Sequence, residues 1–197
     1  MPEVILLAGM VTHVPLMSHD MIGIDRGALV AMNEGRKLVC AVGDFDSISE
    51  AELAALKEYT RVIRLDTHKN ETDSEAALRV ASELGYDRVI LYGGLGGRID
   101  HELINLSLMV QRQNITVMNE KNRIRLICEG TVYQPKEYKY LSFIPLSDCI
   151  LSLNGVAYPL DHRKVRMQDT FTTSNEILDE AEITLHEGKM LMIECND

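Results

Sequence analysis

Up to about residue 122 the chain alternates short apolar, β-branched runs with longer amphipathic stretches, and beyond that point the alternation stops. The runs VILLAG (4–9), KLVCAV (37–42), RVIRL (61–65), RVILYG (88–93) and ITVMN (115–119) each read as a strand buried on both faces. Between them, ISEAELAALKEY opens with Ser49 and Glu52 at capping-box spacing. TDSEAALRVASELG opens with Thr72 and Glu75 at the same spacing and stops at Gly85. Ala77, Val80, Ala81 and Leu84 fall at i, i+3, i+4 and i+7, one apolar stripe fit to pack on a sheet. Strands and helices in this order predict a parallel α/β layer. After residue 122 the segments NRIRLIC, YKYLSFIPL and CILSL follow one another at period two, which predicts antiparallel β structure. Asn154-Gly155 within CILSLNGVAYPL predicts a type I′ hairpin turn, and AEITLHEGKMLMIE predicts a second turn around Gly188. The expected fold is α/β: an N-terminal parallel-sheet domain over residues 1–122, then a C-terminal antiparallel β-sandwich-like domain over 123–197.

Composition bounds the partners. With 46% hydrophobic residues over 197 positions, the chain can bury a sizeable core. A formal charge of −10 argues against a generic nucleic-acid or anionic-membrane surface. An anionic ligand would therefore need local Lys or Arg, backbone N–H groups or a metal. Cys40, Cys128, Cys149 and Cys195 show no C-x-x-C spacing and sit mostly in apolar runs, so they read as buried, reduced thiols. The start MPEVILLAGMV carries Glu3 where a leader would be basic, and its apolar run is too short to span a bilayer. A cytoplasmic protein is expected.

The acidic motifs fall where strands end. Asp44 and Asp46 of GDFDS follow one strand, Asp73 closes the loop DTHKNETD after the next, and Asp100 closes GGLGGRID after another. In an open α/β sheet such turns share the carboxyl edge, where ligands bind. Singly, Asp46 also reads as a turn residue, Asp73 as the first residue of a helix and Asp100 as a helix cap. Together, carboxylates crowded at one edge repel unless a cation or protons intervene. Oxygen ligands without a Cys or His cluster suit Mg²⁺.

Gly93, Gly94, Gly96 and Gly97 stand after a strand and before a helix, with Arg98 next. Backbone N–H groups there can approach an anion, and Arg98 adds a two-pronged donor. A turn with a solvent-facing Arg98 is the plain alternative, as an ordinary surface lysine is for Lys69. Ile99 breaks the dinucleotide fingerprint, and no P-loop sequence occurs.

The stretches IGIDRGAL (22–29), VGDFDSI (42–48), KNETDSEAAL (69–78), GGLGGRIDHELINL (93–106) and TSNEI (173–177) together resemble bacterial thiamine pyrophosphokinase, in order and over nearly the whole chain. The resemblance implies transfer of the pyrophosphoryl group of ATP to the hydroxyl of thiamine, with Mg²⁺ as cofactor and AMP released. It implies an α/β domain that binds ATP and Mg²⁺, a β-domain that contributes to thiamine binding, and a homodimer with a cross-subunit site. Carried over by motif, Asp46, Asp73 and Asp100 are catalytic, and Asp44, Asp46, Asp73 and Asp100 hold the metal. Asp25, Lys69, Gly96, Gly97 and Arg98 face ATP; Asp73, Tyr158, Ser174 and Asn175 face thiamine. Tyr158 reads equally as a strand aromatic packed in the β-domain. Many relatives read Lys-Asp-x-Thr-Asp where this chain has Lys69-Asn70-Glu71-Thr72-Asp73, so Asn70 is left out of the metal set. The alternatives are a pyrophosphokinase for a pterin-like alcohol and a non-catalytic nucleotide- or thiamine-binding module.

Overall fold

In the computed structural model the described residues are 1–66 and 70–197, so Lys69 lies outside them. Among them, β1 (Glu3–Leu7), β2 (Asp20–Ile24), β3 (Cys40–Gly43), β4 (Val62–Arg64), β5 (Arg88–Tyr92) and β6 (Ile115–Met118) pair in parallel, in the order β6-β5-β1-β2-β3-β4. After their first residues β1, β2 and β5 are apolar and buried, as is all of β3, because both faces are covered, whereas the edge strand β4 is only partly buried and ends on the exposed Arg64. Ile5 and Leu7 share a core with Ala28 and Leu29 of α1 (Arg26–Asn33) and Leu56 of α2 (Glu50–Tyr59). Val4 and Leu6, also fully buried, point the other way by strand alternation. There α3 (Asp73–Glu83) packs on β1, β2 and β3 through its alanine-rich stripe, Ala76, Ala77, Val80 and Ala81. The helix α4 (Ile99–Arg112) packs beside β6. These elements form one compact unit, Met1–Asn119.

The capping box at α2 is complete: Ser49 N–H donates to Glu52 at 2.8 Å and Glu52 N–H to Ser49 Oγ at 3.3 Å. At α3 the forward half forms, with Glu75 N–H donating to Thr72 Oγ1 at 3.2 Å. Sequence periodicity does not reveal β2 or α1. The strand DMIGI begins on a charge, holds a glycine and lacks a β-branched run, so only its pairing with β1 and β3 makes it a strand.

The second unit, Glu120–Asp197, is all antiparallel: β7 (Asn122–Pro135), β8 (Tyr140–Pro145), β9 (Cys149–Val156), β10 (Leu160–Val165) and β11 (Ile177–Cys195). β11 pairs with β7 along most of its length; its first part also pairs with β9, which carries β10, and its last part with β8. The ladder shifts register between Leu185 and Lys189. There β11 takes four steps to two of β7 (Gly130 to Cys128) and, from Leu185 to Glu187, two steps to one of β9 (Leu151 to Ile150), and the bulge turns later side chains to the other face. Ile183 and Leu185 before the shift and Met190 and Met192 after it therefore enter one core, with Phe143 of β8 and Leu153 of β9. The expected antiparallel β domain is present, its strands joined through β11 around one core.

Gly188 is thus a bulge inside one long strand, not a turn. Asn154-Gly155 likewise stays within β9, with Asn154 paired to Glu182 of β11. A Cβ at Gly155 would lie 2.0 Å from the Glu180 carbonyl oxygen, so the glycine serves close strand approach. The chain reverses later, between Val156 and Leu160, which places Tyr158 in a loop. Among the described residues, no helix is long and apolar enough to cross a membrane.

Candidate active site

In the strand order, β1 lies between β5 and β2, so the chain direction across the sheet changes beside it. Ligand crevices open at such a point, outside the carboxyl ends of the strands. A cleft of about 620 Å³ lies there, lined by Ala8 and Gly9 after β1, Asp25 after β2, Asp44 and Asp46 after β3, Asp73 on α3, and Gly93, Gly94 and Arg98 after β5.

Two residues bend the backbone to aim the acids. Asp25 (φ 45) and Phe45 (φ 60) sit in the left-handed region that side chains avoid. That costs on the order of 1 kcal/mol each and recurs at functional sites. Phe45 buries its ring, and its N–H donates to Asp25 Oδ1 at 3.2 Å. A Cβ at Gly43 would lie 1.8 Å from that same Asp25 oxygen, so only glycine lets the carboxylate cross the end of β3. Asp44 Oδ1 accepts the Asp46 N–H at 3.1 Å, and Asp73 opens α3, where the helix dipole favours an anion. Carboxylate oxygens of Asp25, Asp44 and Asp73 come within 4.8 Å of one another, all three partly buried. Three hard oxygen donors so close fit Mg²⁺.

The motif-based metal set was Asp44, Asp46, Asp73 and Asp100, with Asp25 on the phosphate side. The structure brings Asp25 into the triad, whereas Asp46 and Asp100 line the same cleft outside it. Asp100 is the second residue of α4 rather than its cap, which is Arg98. Arg98 grips it with Nε to Oδ1 at 3.1 Å and Nη2 to Oδ2 at 2.5 Å. That hydrogen bonding holds the Asp100 carboxyl down to about 2. The Gly96 and Gly97 amides both donate to Glu102 Oε1, at 2.9 and 2.7 Å. Sequence reasoning missed Glu102, although an acid in the first turn after a glycine loop was the available signal. It also missed Asn105, buried within α4, whose Nδ2 donates to the Gly94 carbonyl at 2.9 Å and ties α4 to the end of β5.

In the β unit, Tyr158 is 71% exposed, so its ring is not part of the core. Asn175 is buried and its side chain brackets the Tyr158 backbone: Oδ1 accepts the Tyr158 N–H at 3.0 Å and Nδ2 donates to the Tyr158 carbonyl at 2.9 Å. Asn175 thus shapes the loop that presents Tyr158. Ser174 (φ 57) is exposed, with its N–H donating to Ser142 Oγ at 2.9 Å.

Comparison with known proteins agrees with this architecture. Residues 16–119 match the family described as thiamin pyrophosphokinase, catalytic domain, and residues 129–190 match thiamin pyrophosphokinase, vitamin B1 binding domain. The chain is 31% identical over 186 residues to the thiamine pyrophosphokinase of Bacillus subtilis, covering 89% of this chain and 87% of that one. The crystal structure of thiamine pyrophosphokinase from Bacillus subtilis superposes with a TM-score of 0.88 at 29% identity, covering 100% of both chains. A thiamin pyrophosphokinase family protein from Enterococcus faecalis gives the same TM-score of 0.88, identity of 29% and coverage of 100% of both chains. The strained Asp25 and Phe45 turns, the carboxylate triad and the glycine–arginine loop all lie within the matched catalytic segment, and the chain belongs to the thiamine pyrophosphokinase family.

Proposed function

We infer that the chain transfers the pyrophosphoryl group of ATP to the hydroxyl of thiamine, giving thiamine diphosphate and AMP, in the cleft at the ends of β1, β2, β3 and β5. Thiamine pyrophosphokinase activity follows from the family; the assignment of residues to steps is our reading. The observation that carries it is the approach of Asp25, Asp44 and Asp73 within 4.8 Å in the cleft that also holds Arg98.

The described lining carries Asp25, Asp44, Asp46, Asp73, Asp100 and Glu102 against Arg26 and Arg98. ATP brings roughly four more negative charges, which this lining alone would repel. We assign Asp25, Asp44 and Asp73 to holding Mg²⁺, which when bound neutralises phosphate charge and polarises the transferred group. Asp46 sits beside them, its backbone N–H fixing the Asp44 carboxylate. Arg98 and the amides of Gly96 and Gly97 stabilise charge on the migrating group through fixed donors. Either Asp73 or Asp100 orients the thiamine hydroxyl and accepts its one proton late, as a carboxylate does in phosphoryl transfer.

The exposed ring of Tyr158 supports stacking on the cationic substrate, with Asn175 and Ser174 shaping that loop. We place it in a homodimer, completing the cleft of the second copy. None of the four cysteines is in a disulfide, which is in keeping with a cytoplasmic enzyme. Cys40 and Cys149 are buried as expected, but Cys128 is exposed and Cys195 half-buried because they lie outside the apolar core of the β unit. The test is AMP release from ATP and Mg²⁺ with thiamine, hydroxymethylpterin or thiamine monophosphate as acceptor. Thiamine-dependent AMP is expected; ADP as the nucleotide product would overturn pyrophosphoryl transfer.

A further inference from the structure

We propose that Glu102 is a built-in competitor for the phosphates of the nucleotide. The inference rests on the reading that the Gly96–Arg98 loop meets those phosphates. Glu102 Oε1 accepts the amides of Gly96 and Gly97 at 2.9 and 2.7 Å, both within the normal range for strong, charge-assisted hydrogen bonds. Each amide has a single hydrogen. A phosphate oxygen therefore cannot receive these two bonds at full strength while the carboxylate keeps them, and two anions at one pair of donors repel.

The loop's cation is engaged in the same way, since Arg98 closes both prongs of its fork on Asp100. Glu102 is well placed to yield. It lies one turn into α4, is only partly buried and lines the cleft, so rotation about its side-chain bonds frees the amides without moving the helix. The carboxylate thus keeps the loop in its anion-accepting shape and gives it up to a more highly charged oxyanion. The consequence is weaker ground-state binding of ATP and faster exchange of phosphate-bearing ligands.

The experiment uses inorganic pyrophosphate as the probe, titrated calorimetrically with EDTA and again with Mg²⁺, against the intact chain and its Glu102→Ala, Glu102→Gln and Arg98→Ala variants. Removing a charged competitor from two donors should tighten pyrophosphate binding by about ten-fold in Glu102→Ala. Glu102→Gln should fall between, because its amide oxygen still accepts but carries no charge, and KM for ATP should drop in the same order. Thermal melting shows that each variant is folded. Unchanged or weaker pyrophosphate binding in folded Glu102→Ala overturns the proposal and makes Glu102 a strut of the loop. Arg98→Ala separates the two levels of the reading. If it weakens pyrophosphate binding while Glu102→Ala fails to tighten it, only the competitor role falls; if it changes nothing, the phosphate assignment of the loop falls as well.

Discussion

Acids are used in opposite ways in the two units. In the β unit, Glu194 is fully buried, yet Arg123 meets it with two bonds of 2.7 Å and Arg125 with one of 3.0 Å. In the α/β unit, Asp25, Asp44 and Asp73 stay partly exposed and gather carboxylate to carboxylate. The first arrangement sets charge against counter-charge: Arg123 also meets Glu137 at 2.7 Å, and among the described residues only Arg125 Nε is left buried without a hydrogen-bond partner in the cluster. The second brings like charges together beside strained loops, an arrangement that is costly unless a cation or protons intervene. A buried acid ringed by arginines is therefore read as structure, and accessible acids gathered at one sheet edge as a site.

The comparison breaks most sharply under isosteric neutralisation. Asp44→Asn should lower kcat by on the order of 10³ with little change in melting temperature, because it removes charge at the triad but no packing. Asp46→Asn should cost less, on the order of 10², since its carboxylate lies outside the triad. Equal losses, measured at saturating Mg²⁺, would erase the distinction between these positions. Glu194→Gln should do the reverse, destabilising by about 3 kcal/mol as Arg123 and Arg125 lose their buried counter-charge. That corresponds to roughly 10 °C in Tm, with near-normal kcat per folded molecule. An unchanged Tm would show that the Glu194 cluster is not what holds that end of the β unit.

A smaller effect is expected at the exposed loop. Tyr158→Ala should raise KM for thiamine by about ten-fold and leave kcat nearly intact, if the ring stacks equally on ground and transition states. Mixing Asp44→Asn with Tyr158→Ala protein under subunit exchange tests where that ring acts. With random exchange into symmetric dimers, about a quarter of all sites should regain both intact halves. Activity equal to the average of the separate mutants, with exchange verified by mass, would confine Tyr158 to its own chain.

The smallest effect is a titration. Hydrogen bonding from Arg98 holds Asp100 at about 2, below its ordinary 3.8. The pair therefore supports the folded loop fully above the ordinary value and loses that support as pH falls through the lower one. Carboxyl NMR should place the Asp100 midpoint near 2 in the native chain and return it toward 3.8 in Arg98→Ala. A midpoint that ignores the Arg98 substitution would show the pair to be absent in solution.

Local chemistry alone determined much of this protein. Runs such as RVILYG and caps such as Ser49-x-x-Glu52 specify strands and helix starts because their information lies within a few residues. The placement of acids after strands was enough to predict that they share one edge. What lay beyond it depends on contacts between distant segments. β2 is a strand only because β1 and β3 flank it, and Asn154-Gly155 is no turn because Glu180 and Glu182 of β11 lie against it. Asp25 rather than Asp46 completes the triad because its left-handed backbone and the bare Gly43 turn its carboxylate across the end of β3. Motif spacing fixes which residue types arrive at an edge; the direction of each carboxylate is set by backbone angles and by what its neighbours leave open, and those exist only once the strands have paired.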